Sequence, residues 1–130
     1  MKEKKNLVII AVGFLVGIIG YWTTDVSEDR ALYNTVFSIM GPGAFIGAII
    51  STFYRKKSPL FNALMISVGV LLGILSRIFW DIIQDPTSHN LFPFELLISL
   101  AIVFPAATLG SFLIYFVFWI AGKKLTKNNP

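Results

Sequence analysis

Cysteine is absent from this chain, which excludes disulfides, thiolate metal sites and lipid-modified cysteine. Charge is scarce: 14% of the 130 residues are Asp, Glu, Lys or Arg, against about a quarter in a soluble domain. A chain with so little charge and 55% apolar residues lacks the means to clothe a water-facing surface. Histidine occurs once, as His89, in the segment DPTSHN with Ser88 and Asp85. Neighbours in one short loop do not hold the geometry of a catalytic triad. HExxH, a phosphate-cradling glycine loop and the spaced oxygen ligands of a calcium loop are missing as well. The sequence therefore predicts a protein that is not an enzyme and uses no cofactor and no metal.

What the chain does have is long apolar runs. Stretches 7–24, 31–54, 60–83 and 92–121 each reach or approach the ~20 residues that cross a ~30 Å hydrocarbon layer. None alternates apolar with polar residues as the strands of a membrane barrel do. The predicted fold class is all-α: an integral membrane four-helix bundle, one transmembrane domain over residues 1–130, in a plasma or inner membrane. The start, MKEKKNLVIIAVGFLVGIIGYW, is laid out like a secretory signal but runs on into Thr23, Thr24 and Asp25 without a small-x-small cleavage site. It reads as a retained first helix, with Tyr21 and Trp22 reaching the far headgroups.

Positive charge gives the orientation. Lys2, Lys4 and Lys5 precede the first stretch, Arg55, Lys56 and Lys57 separate the second from the third, and Lys123, Lys124 and Lys127 follow the fourth. The acids Asp25, Glu28, Asp29, Asp81, Asp85 and Glu95 gather in or beside the two opposite loops. The positive-inside rule then places both termini in the cytoplasm. The net charge of +4 is the sum of a basic inner and an acidic outer face, and argues for anionic lipid and not for nucleic acid.

An internal repeat is visible. Residues 6–25, NLVIIAVGFLVGIIGYWTTD, lie over residues 62–81, NALMISVGVLLGILSRIFWD, without a gap; Gly13/Gly69, Gly17/Gly73 and Asp25/Asp81 are the informative identities. With another offset, PGAFIG at 42–47 matches PAATLG at 105–110. Two similar hairpins that each return the chain to its starting side imply a parallel pseudo-twofold repeat about the bilayer normal. Gly13, Gly17 and Gly20 form one stripe, Gly69, Gly73 and Ser76 the matching one, and Gly43 with Gly47 a further small pair. In lipid such residues are packing faces, because they let helix backbones approach.

Pro42 and Pro105 fall about halfway along the second and fourth stretches, where each removes a helix hydrogen bond and predicts a kink. Arg77 lies ~27 Å along its helix from Leu60, near the outer headgroups. It also follows Gly73 by four residues, so it starts from the packing stripe, and a carboxylate partner is expected: Asp81, Asp25 or Glu95. Glu95, just after Pro93, additionally suits the positive end of a helix dipole.

Chain length and helix number resemble those of the small multidrug exporters and the fluoride channels. The exporters' membrane-embedded glutamate in the first helix has no counterpart in residues 7–22, which carry no charge, and the Phe- and Thr-rich box of fluoride channels is missing from LFNALMISVGVLLGILSRIFWDII. The expected role is a non-catalytic accessory or interaction subunit whose partners are the lipid bilayer and another membrane protein or a second copy. The alternative is a small transporter or channel with a site near the kinked helices.

Overall fold

A computed structural model describes residues 2–23, 34, 36–54, 58–87 and 92–127, and among them only helix, turn and bend occur. The elements are α1 (Lys2–Trp22), α2 (Val36–Tyr54), α3 (Pro59–Gln84) and α4 (Phe92–Lys127). All are long and apolar enough to cross a membrane. α4 runs past the predicted end at residue 121, and its apolar part, Phe92–Gly122, has 31 residues. At 1.5 Å per residue that is ~46 Å, longer than a ~30 Å hydrocarbon layer, so a crossing by α4 would require tilt or projection.

Local chemistry sets the ends. α3 opens with Pro59 in its first turn, where a missing N–H costs nothing, and the Ser58 carbonyl accepts from Phe61 and Asn62 at 3.1 and 3.2 Å. It stops at Asp85, in extended conformation, whose N–H donates to the Asp81 carbonyl at 2.8 Å. α2 begins with a π-helical segment, Val36–Met40, and becomes α-helical at Gly41–Tyr54. Pro42 has no N–H to offer the preceding turn, and the wider π turn lies at that point. α4, by contrast, continues as α-helix through Pro105, and Thr108 Oγ1 donates to the Phe104 carbonyl at 2.7 Å.

The helices form two parallel pairs. Along α1 and α3, Gly13 meets Gly69 and Gly17 meets Gly73, so both run the same way. Along α2 and α4, Gly41 approaches Ile102, Phe45 meets Gly110 and Phe53 packs edge-on against Phe118, again in the same sense. The pairs are antiparallel to each other, since Gly20, Val16 and Val12 of α1 meet Met40, Gly43 and Gly47 of α2 in reverse order. α3 supplies the centre with Ala63, Ile66, Val70, Ile74 and Ile78, one face at helical spacing. Ala44 and Ala48 of α2 and Ala107 of α4 are fully buried, while Phe79, Ile83, Phe94, Leu97, Leu109 and Phe116 face outward. Small residues inside and bulky apolar ones outside suit a protein whose solvent is itself apolar.

Candidate functional site

The bundle has a lysine end, formed by the starts of α1 and α3 and the ends of α2 and α4, and a far end. Between them, four glycines bring α1 and α3 into backbone contact. A Cβ added to Gly13 would lie 2.2 Å from the Ile66 carbonyl oxygen, and one added to Gly17 would lie 2.4 Å from that of Val70. From the other side, a Cβ on Gly69 would meet the Ile10 carbonyl oxygen at 2.2 Å, and one on Gly73 that of Phe14 at 2.7 Å. Only glycine fits at these four positions.

The remaining small residues have different neighbours. Gly20 faces the Met40 side chain of α2, not α3, so the stripe of α1 divides between two partners. Gly43 and Gly47 of α2 are notches for Val16 and Val12. Gly110, opposite the Phe45 backbone, does not meet its repeat counterpart Gly47, so the second helix pair lacks the matched contacts of the first. Ser76 donates to the Gly73 carbonyl at 2.7 Å and accepts from Trp22 Nε1 at 3.3 Å.

At the far end the polar residues converge. Arg77 Nε lies 2.8 and 2.9 Å from the two carboxylate oxygens of Asp81, one turn on, with the side chains 28% and 18% exposed. The guanidinium stands 5.2 Å from the centre of the Trp22 ring, which is itself 6.4 Å from Trp80. Glu95, at the start of α4, accepts a hydrogen bond from the Tyr21 hydroxyl. Asp25, the third candidate partner of Arg77, lies outside the described residues.

Tyr21, expected near the far headgroups, is buried within the bundle, 1% exposed, with its hydroxyl on Glu95 of α4. Tyr21 follows Gly17 by four residues, so it continues the packing face of α1. Tyr21, Trp22, Ser76, Arg77, Asp81 and Glu95 together tie α1, α3 and α4 at the far end of the bundle.

Polarity deeper in the bundle is sparse. Ser67 and Thr108 donate to carbonyls of their own helices, at 2.9 and 2.7 Å. Ser51, Ser99 and Ser111 are buried and their hydroxyls have no hydrogen-bond partner. Pro105 is exposed and lines an apolar groove of about 450 Å³ with Leu64, Leu97, Leu100, Ala101 and Phe104. Four apolar helices in this arrangement are compatible with a multi-pass membrane protein. No protein-family model matches the chain, nor does any curated protein or solved structure.

Proposed function

We propose that the chain is a non-catalytic interaction subunit of a cell membrane, with both termini in the cytoplasm and its two hairpins related as a parallel pseudo-twofold repeat. The observation that carries this is the glycine seam. Backbone against backbone at Gly13–Gly69 and Gly17–Gly73 leaves no passage between α1 and α3, which suits a packed scaffold better than a conduit at that seam. That repeat-equivalent residues meet each other there supports the pseudo-twofold relation. The second half of α4 offers a partner a surface, since Phe112, Leu113, Tyr115, Phe116, Val117 and Trp119 all remain exposed.

Photo-crosslinking residues placed at Leu113, Phe116 and Trp119 in native membranes test the role. A discrete protein adduct from this face, with no solute flux in vesicles containing the purified chain, is the expected result. Lipid adducts alone, together with selective flux, would overturn it. Orientation is read separately: cysteines at residues 3, 57 and 126 should be shielded from an impermeant thiol reagent in intact cells, and cysteines at 28 and 88 should react.

A second reading, a small transporter or channel, is favoured by two observations. The π segment at Pro42 breaks regular hydrogen bonding, and the unpartnered hydroxyls of Ser99 and Ser111 lie inside the bundle. Irregular backbone and buried polar groups at membrane depth mark transport sites.

A further inference from the structure

We propose that the groove between α1 and α2 at the lysine end holds one anionic glycerophospholipid, with its phosphate at Lys5 and an acyl chain in the cavity below. The cavity measures about 130 Å³ and is lined by Val8, Ile9 and Val12 of α1 and Ile50, Ser51 and Tyr54 of α2. Val8 and Ile50 are 46% and 55% exposed, so the cavity opens sideways onto lipid, while Ile9 and Ser51 are buried and form its floor.

The chemistry of the groove changes in a fixed order along the helices. Deepest are Val12 and Ile50, which suit hydrocarbon. Next comes Ser51, 2% exposed, whose hydroxyl has no hydrogen-bond partner in the protein. A buried donor without an acceptor is costly, and a ligand carbonyl would satisfy it. Last, at the mouth, Lys5 Nζ stands 5.2 Å from the centre of the Tyr54 ring, which holds the ammonium beside the cavity and away from free solution. Hydrocarbon, hydrogen-bond donor, cation: a glycerophospholipid presents acyl chain, ester carbonyl and phosphate in the same order. Ser51 donates to the ester carbonyl and Lys5 to the phosphate. General attraction of the basic residues for anionic lipid would not distinguish Lys5 from the adjacent, exposed Lys4, whereas this site does.

The test uses the purified full chain in detergent, with bound lipid read by native mass spectrometry. Probes are diester phosphatidylglycerol, its dialkyl-ether analogue, and phosphatidylcholine with the same chains. One diester phosphatidylglycerol should be retained in preference to the other two. Lys5→Gln should lower its retention about fivefold, the effect of one basic residue near a lipid surface, and Lys5→Arg should restore most of it. Ser51→Ala should erase the preference for diester over ether lipid, and Val8→Phe, which fills the mouth, should remove retention of both. Lys4→Gln should change nothing. Equal losses in Lys4→Gln and Lys5→Gln, or full retention in Val8→Phe, would overturn the proposal and leave only diffuse electrostatic attraction. Lys5→Arg and Lys4→Gln alter only the partly exposed lysine end, so they decide between a site and diffuse attraction even if a cavity variant fails to fold.

Discussion

The same two helices, α1 and α3, are joined in two different ways at two depths. In the middle they touch through Gly13, Gly17, Gly69 and Gly73, with no side chain between the backbones. At the far end they are linked by side chains: Trp22 to Ser76, Arg77 over Trp22, and Arg77 to Asp81 on α3 itself. In the alignment of residues 6–25 with 62–81, Gly13/Gly69 and Gly17/Gly73 are identical where the backbones meet, whereas further on Gly20 corresponds to Ser76 and Tyr21 to Arg77, before identity returns at Asp25/Asp81. Inside a bilayer an unpaired polar group is expensive and close packing is the available attraction, which suits glycine in the middle of helices long enough to cross one. Near headgroups polar groups are cheaper to place, which suits the polar far end.

The largest effect should come from breaking the middle. Gly69→Leu forces a side chain into the Ile10 carbonyl and should cost ~3 kcal/mol or prevent accumulation of folded protein, whereas Leu72→Ala, on the exposed face, should cost well under ~1 kcal/mol. Thermal unfolding in detergent, with expression level alongside, distinguishes the two. Equal tolerance would mean that the middle is no tighter than the rim.

Next comes Tyr21, the most buried member of the far end. Tyr21→Phe keeps the ring and removes the donor to Glu95, with an expected cost of about 2 kcal/mol for a hydrogen bond to a charged group. A loss of stability in Tyr21→Phe that disappears in a Glu95→Leu background, which has no acceptor, would assign it to that bond.

The Arg77–Asp81 pair should matter less, because both groups retain contact with solvent. A double-mutant cycle with Arg77→Leu and Asp81→Leu should give a coupling of ~1 kcal/mol or less, with the double variant folded. A coupling of several kcal/mol would make this end as tightly specified as the glycine seam and erase the contrast.

The smallest effect lies just beyond the end of α3. The Thr87 hydroxyl and backbone N–H, 2.7 and 2.9 Å from Asp85 Oδ1, hold that carboxyl below its ordinary value of 3.8. A depressed carboxyl adds stability above the unfolded value, and that contribution disappears as pH falls through the folded one. Thr87→Val, which removes the hydroxyl, should raise the Asp85 titration toward 3.8, as read by NMR, with little change in stability at neutral pH. An unmoved titration would remove the hydroxyl as the cause.

Much of the middle was legible in the sequence, and less of the ends. Glycines at helical spacing among Leu, Ile and Val have few uses in lipid other than close packing, so Gly13, Gly17, Gly69 and Gly73 announced themselves. Spacing alone does not reveal a partner, which is why Gly20, on the same stripe, could not be assigned to Met40. Tyr21 looked like an interfacial residue because tyrosine is common there; only the fold shows that α4 covers it. The two prolines read alike in sequence yet behave differently: Pro42 adjoins a π turn and Pro105 leaves α4 continuous. Asp25 lies beyond what the described residues address. Asp81 stood out among the partners of Arg77 only because it is one turn away on the same helix.

Close contact of α1 and α3 through glycine backbones in the middle of the bundle is tested most directly by comparing the unfolding midpoints of Gly17→Ala and Gly122→Ala in the same detergent. Alanine is the better helix former by ~1 kcal/mol, so an unobstructed helical site should gain from the change. At Gly122, in α4, the new methyl would meet nothing within 4 Å. At Gly17 it would lie 2.4 Å from the Val70 carbonyl oxygen, which cannot yield without parting the helices. Opposite signs are expected, with Gly122→Ala unchanged or more stable and Gly17→Ala clearly less stable. Stabilisation by both would contradict the backbone contact.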